Sequence, residues 1–123
     1  MLIVKIYRHF GKTIKGGYLS DWIPICPLAD IPLVGAKRFD HKGESYAIFR
    51  QSETALFATS GYCTHQRVHL ADGEFDGDII TCPKHQGSFA VKSGCALGAP
   101  VFKDLQTFAV KLEDGMVYVK LPL

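Results

Sequence analysis

Apolar and polar positions alternate with a period of two along much of the chain, the signature of strands that bury one face. Residues 22–26 and 36–40 each fit a short strand, the second leading into a turn over His41, Lys42, Gly43 and Glu44. Residues 45–49 return from that turn, residues 54–59 form a further strand, and residues 78–81 a brief one. Near the end, residues 107–112 and 116–121 alternate around Asp114 and Gly115, a strong hairpin signal. No ten-residue stretch keeps a 3.6-residue period, and only a single helical turn near residues 27–31 is expected. The pattern predicts an all-β domain without internal repeats.

Composition narrows the class. A chain of 123 residues suggests one domain with a modest core. It is 47% hydrophobic, yet no apolar run approaches the ~20 residues that span a bilayer. Lys5 interrupts the only apolar stretch near the start, and no cleavage site follows it. Four cysteines in an otherwise ordinary chain do not make a secreted disulfide scaffold. The expected compartment is the cytoplasm, with no membrane contact. Residues 1–20 carry Lys5, Arg8, Lys12 and Lys15 without an acid, whereas residues 21–123 carry ten basic and twelve acidic residues. The first segment therefore reads as a basic, solvated N-terminal extension on a mildly acidic domain. It lacks the density of a phosphate-binding tail, so no nucleic-acid partner is expected.

The candidate chemistry lies in two short boxes, Cys63-Thr64-His65 and Cys82-Pro83-Lys84-His85, separated by sixteen residues. Each offers one thiolate and one imidazole, a donor set that suits tetrahedral zinc or an iron–sulfur cluster. A zinc finger usually places both cysteines in one pair and both histidines in the other. Two mixed pairs, Cys-x-His and Cys-x-x-His, match the Rieske arrangement, in which two histidines replace two cysteines on one iron.

With these boxes, and with Gly98-Ala99-Pro100-Val101 soon after them, the chain resembles the Rieske ferredoxins, soluble electron carriers of bacterial multicomponent aromatic-ring dioxygenases. The resemblance runs from about Asp21 to Leu121. It implies antiparallel sheets with a small cluster-binding subdomain, about residues 62–98, made of two ligand loops and a proline loop. It implies one [2Fe–2S] cluster, with Cys63 and Cys82 on the buried iron and His65 and His85 on the outer one at the tip. That tip would be built from Gln66, Arg67, Val68, His69, Lys84, Gln86, Ala99 and Pro100. The implied partners are a flavin-dependent ferredoxin reductase and a terminal oxygenase, with the carrier itself a monomer. The respiratory type has a further cysteine in each ligand loop, where this chain has Val68 and Lys84. The high-potential type has serine and tyrosine donors, where this chain has Gly87 and Phe89, with Ser88 one residue out of step. A low potential is therefore expected.

Other residues receive plainer readings. The run from Asp72 to Asp78 starts like a calcium loop, but its twelfth position is Pro83, so the acids are read as solvating a turn. His69 is read as a surface histidine at the rim, in a position where the resemblance makes a small residue usual. His9 and His41 are read as exposed, and Cys26 and Cys95 as free, partly buried thiols. No dinucleotide fingerprint or nucleophile–base pair stands out, and some 20 residues after the proline loop leave no room for a catalytic iron domain. The expectation is a carrier and not an enzyme. The alternatives are a Rieske subunit of another redox system, such as a nitrite reductase small component, or a structural zinc module.

Overall fold

The structure, a computed structural model, describes residues 20–64, 67–84, 87–99, 101 and 103–122. Its strands run β1 (Ser20–Pro27), β2 (Gly35–His41), β3 (Glu44–Arg50), β4 (Leu56–Ser60), β5 (Glu74–Phe75), β6 (Ile79–Thr81), β7 (Ser88–Ala90), β8 (Thr107–Phe108), β9 (Val110–Glu113) and β10 (Met116–Pro122). The chain divides into two compact units, Met1–Asp30 with Phe108–Leu123 and Ile31–Thr107.

The first unit is an antiparallel sheet in the order β1-β10-β9. Asp114 and Gly115 take φ of 51° and 79°, the left-handed pair of a tight hairpin turn whose twist matches the strands it joins. In β10, Val117, Val119 and Leu121 alternate inward with no exposure. Pro24 cannot donate to a ladder and sits on the edge strand β1, where the register shifts between it and Cys26. The expected helical turn is a 3-10 turn at Leu28–Asp30.

The second unit holds the chemistry. β2, β3 and β4 form an antiparallel meander with β3 in the middle. Lys42 and Gly43, with φ of 53° and 83°, make its first turn. Tyr46 to Phe49 are all buried, so β3 is covered on both faces, as its near-continuous apolar sequence requires. A smaller antiparallel sheet, in the order β5-β6-β7, follows. A core joins the two sheets through Ala47, Phe49, Leu70, Ile80, Phe89 and Val101, with Cys63 and Cys82 among them.

Three expectations change in detail. β4 starts at Leu56, because Thr54 and Ala55 belong to a turn closed by Gln51 N–H donating to the Ala55 carbonyl at 2.8 Å. The strand expected over residues 107–112 is two strands interrupted at Ala109, since β8 and β9 belong to different sheets. The short strands β5 and β7 are additions that two- and three-residue pairings cannot announce by periodicity.

Candidate metal centre

Each ligand box caps a short antiparallel ladder. After β4, Gly61 N–H donates to the Ser45 carbonyl at 2.9 Å and Leu70 N–H donates to the Gly61 carbonyl at 2.8 Å. Tyr62 and His69 face each other as a bridge, and Cys63 N–H donates to the Val68 carbonyl at 2.9 Å. In the second loop Thr81 pairs with Ser88, and Cys82 N–H donates to the Gly87 carbonyl at 2.7 Å. Both cysteines therefore occupy the same station. Each donates its amide to the carbonyl five residues on, which closes a loop of the same length in both boxes.

The structure brings the two thiols together. Cys63 and Cys82 are 5% and 2% exposed, and the Cys63 thiol lies close enough to raise that of Cys82. Burial pushes the Cys82 thiol up, the backbone N–H of Lys84 donated to its sulfur opposes that, and the neighbouring Cys63 raises it further. Two buried sulfurs this close repel as thiolates, and a bound metal removes that penalty by holding them deprotonated. The donor set thus fits an iron–sulfur group. His65 and His85, and the tip residues Gln66, Gln86 and Pro100, lie outside the described residues, as does His9.

A third segment seats itself on these loops. Val101 N–H donates to the Gly98 carbonyl at 3.0 Å, closing a tight turn, and Gly98 takes φ of 135°. The Val101 side chain lies so close to Gly87 that a Cβ there would stand 2.5 Å from Val101 Cγ1. Gly87 is therefore demanded by packing, and no side-chain hydroxyl fits in its place. Thr64 Oγ1 donates to the Lys103 carbonyl at 2.6 Å, tying the first loop to the same stretch. Phe89 is fully buried, and Ser88 Oγ sits 3.4 Å from Thr81 Oγ1.

Of the expected tip, Arg67, Lys84 and Ala99 are exposed. Val68 is half-buried against the core. His69 is a correction: it is 4% exposed, not at the surface. Its Nδ1 accepts from Ala71 N–H at 3.1 Å, capping the 3-10 turn Leu70–Asp72, and its Nε2 lies 2.8 Å from Ser45 Oγ. Its position between a half-buried valine and a buried leucine was the only local signal. Leu97, 49% exposed just before Gly98, is an apolar tip residue that strand alternation did not flag. Arg67 stacks on Tyr62, with Cζ 4.4 Å from the ring centroid.

The acidic turn behaves as a turn. Asp76 Oδ1 accepts from the amides of Asp78 and Ile79 at 2.9 and 2.8 Å, and these bonds hold its carboxyl below the usual range. Cys26 is buried and Cys95 exposed, and neither is in a disulfide. Among the described residues no helix is long and apolar enough to cross a membrane.

The family model for the Rieske [2Fe-2S] domain matches residues 21–109. The chain belongs to the Rieske [2Fe–2S] domain family. The ferredoxin component of the naphthalene 1,2-dioxygenase/salicylate 5-hydroxylase systems of Ralstonia sp. is 38% identical to it, over 83% of this chain and 97% of that protein. The solved ferredoxin of Sphingomonas yanoikuyae B1 superposes with a TM-score of 0.77 at 31% identity, covering 83% of this chain and all of that one. A chain from the complex of reduced oxygenase and oxidized ferredoxin in carbazole 1,9a-dioxygenase gives 0.75 at 33% identity, covering 80% and 91%. This Rieske ferredoxin is of the type found in aromatic-ring dioxygenase systems, an electron carrier with a [2Fe–2S] cluster and not itself a catalyst.

Proposed function

We propose that Cys63, His65, Cys82 and His85 hold the cluster, and that the chain passes single electrons from a flavin-dependent ferredoxin reductase to a terminal oxygenase. The observation that carries the ligand assignment is the meeting of the Cys63 and Cys82 thiols at equivalent stations of two like loops. When bound, a [2Fe–2S] cluster supplies a one-electron couple. The chain's own residues exclude water from the sulfur side, where Phe89 and Val101 are fully buried with the cysteines. Lys84 contributes an amide to the Cys82 sulfur, a bond that favours the more electron-rich state of the site. As ligands of the outer iron, His65 and His85 would bring it within reach of a partner.

The oxygenase partner is supported by the related ferredoxin chain solved with its oxygenase. The reductase follows from the need for a one-electron donor, since no dinucleotide fingerprint occurs in the chain. Residues 21–123 act as one Rieske domain, with residues 62–98 as its cluster-binding part. The compartment is cytoplasmic, where Cys26 and Cys95 stay reduced.

Two measurements test the proposal. Cys82→Ser should abolish the Rieske absorption bands, because oxygen is a poor substitute for thiolate on iron; an unchanged spectrum refutes the ligand assignment. Reconstitution with a reductase and an aromatic-ring oxygenase should give NADH-driven substrate oxidation that depends on this chain. Oxidation at the same rate without the chain refutes the carrier role.

A further inference from the structure

Beneath the first ligand loop, two polar side chains of the β2–β3 hairpin and one 24 residues further on are joined in series. His69 Nε2 lies 2.8 Å from Ser45 Oγ, and Ser45 Oγ donates to Asp40 Oδ1 at 2.6 Å. Arg38 Nε and Nη2 hold the two carboxylate oxygens of Asp40 at 3.2 and 3.4 Å. The direction of each bond follows from its neighbours. Nδ1 accepts the Ala71 amide, so the ring proton sits on Nε2 and is donated to Ser45. Ser45 Oγ accepts that bond and donates its own hydroxyl hydrogen to Asp40.

These are the residue types of a hydrolytic triad in an order that prevents such chemistry. The serine proton points at the carboxylate and away from the imidazole, and the ring nitrogen facing the serine is already protonated. The imidazole cannot act as base to the hydroxyl, and Asp40, held below the usual carboxylate range by its bonds to Ser45 and Arg38, is a weak one. A series that cannot do chemistry can still hold a shape.

What it fastens is the stem of the first ligand loop. His69 is the residue opposite Tyr62, immediately behind Cys63, and its ring stands edge-on to Tyr62 at 5.1 Å. Gly61 lets the ring approach Ser45, because a Cβ there would lie 2.5 Å from His69 Nε2. Burial and then the nearby Arg38 charge lower the ring's affinity for a second proton, against the opposing pull of Asp72 and Asp40, which favours the neutral form this bonding needs. A small residue at position 69 could not span the gap to Ser45. The tie therefore depends on a residue with the reach of histidine at this position.

We propose that His69 is the positioning residue of the first ligand loop: through Ser45 it fastens the stem carrying Cys63 to the β2–β3 hairpin, and so sets the electronic environment of the cluster held there. The inference rests on Cys63 and His65 being ligands. Partners that orient ligands typically change metal retention and electronics when removed, which a distant brace does not.

The test uses the full, cluster-loaded chain. Ser45→Ala breaks the tie and leaves the loop sequence and the Ala71 cap in place. It should bleach the visible bands on the order of tenfold faster and shift the EPR signal of the reduced cluster. Ser45→Thr keeps the hydroxyl and should restore both. His69→Asn keeps an acceptor for Ala71 N–H but cannot reach Ser45, so it should match Ser45→Ala, and the double variant should be no worse than either. It also reads the same tie if Ser45→Ala does not fold. A parental EPR signal in these variants, even with faster bleaching, marks a merely structural brace and overturns the proposal; so does an additive double variant. Cys82→Ser separates the two readings. If it keeps its Rieske spectrum, the ligand assignment fails, whereas loss of the cluster there beside parental Ser45→Ala defeats the positioning role alone.

Discussion

Replacing Gly87 with Ala forces a methyl group into the contact that seats the Gly98–Val101 turn on the second ligand loop. The new Cβ would stand 2.5 Å from Val101 Cγ1, about 1–1.5 Å inside the roughly 3.5–4.0 Å of ordinary carbon contact. Neither side yields easily. Val101 is 1% exposed and β-branched, so its rotamer is stiff, and Gly87 is held by the 2.7 Å bond from Cys82 N–H. Overpacking of this kind costs about 1–3 kcal/mol, which lowers the Tm of a domain this size by roughly 4–12 °C. Thermal unfolding of the cluster-loaded protein, followed by far-UV circular dichroism and by visible bleaching, reads the loss. Val101→Ala destabilises on its own by leaving a cavity, but in the double variant the added methyl occupies the vacated space. The two effects should therefore couple favourably by about 1 kcal/mol. Simple additivity, or a Gly87→Ala protein that melts like the parent, would falsify the contact. The same geometry predicts that Gly87→Ser destabilises the loop without creating a useful donor to sulfur.

Three further outcomes follow from the site. The midpoint potential should lie near the low end of the Rieske range, about −150 mV, and Phe89→Tyr should raise it, since Phe89 is buried in one cluster with both cysteines; a parental midpoint above roughly +100 mV contradicts the low-potential reading. Arg67→Glu combined with Lys84→Glu should slow electron delivery to the oxygenase at low salt while leaving the spectrum intact, and the deficit should shrink as salt rises; equal low-salt rates for parent and variant remove these two exposed charges from the docking surface. His69 is held below its ordinary value of 6.5 in the folded state, so the unfolded chain binds the proton more readily and stability falls as pH drops from 6.5 toward the folded value. His69→Asn should flatten that slope, measured as Tm against pH, and a parent whose Tm is flat from about pH 7 to 5 contradicts the buried, neutral ring.

Much of this was readable from the sequence. Alternation and the Asp114-Gly115 signal located β1, β2, β3, β6 and β10, because a strand's facing repeats every two residues and needs only local information. The mixed ligand boxes pointed to the family, because metal geometry restricts donor type and spacing. Tertiary structure decided the rest. His69 has apolar neighbours but no partner in its own loop that marks it as an anchor, and the tie comes from Ser45, 24 residues earlier. Gly87 looks like a missing donor until Val101 is found filling its space. Thr64 gains its partner at Lys103, 39 residues on. The chain changes sheets at Ala109 although its alternation continues through that point. Periodicity reports which way a residue faces within its own element. It carries no information about which distant backbone or side chain arrives there, and at this site those arrivals decide which loop positions are rigid, which are small and which can reach a partner.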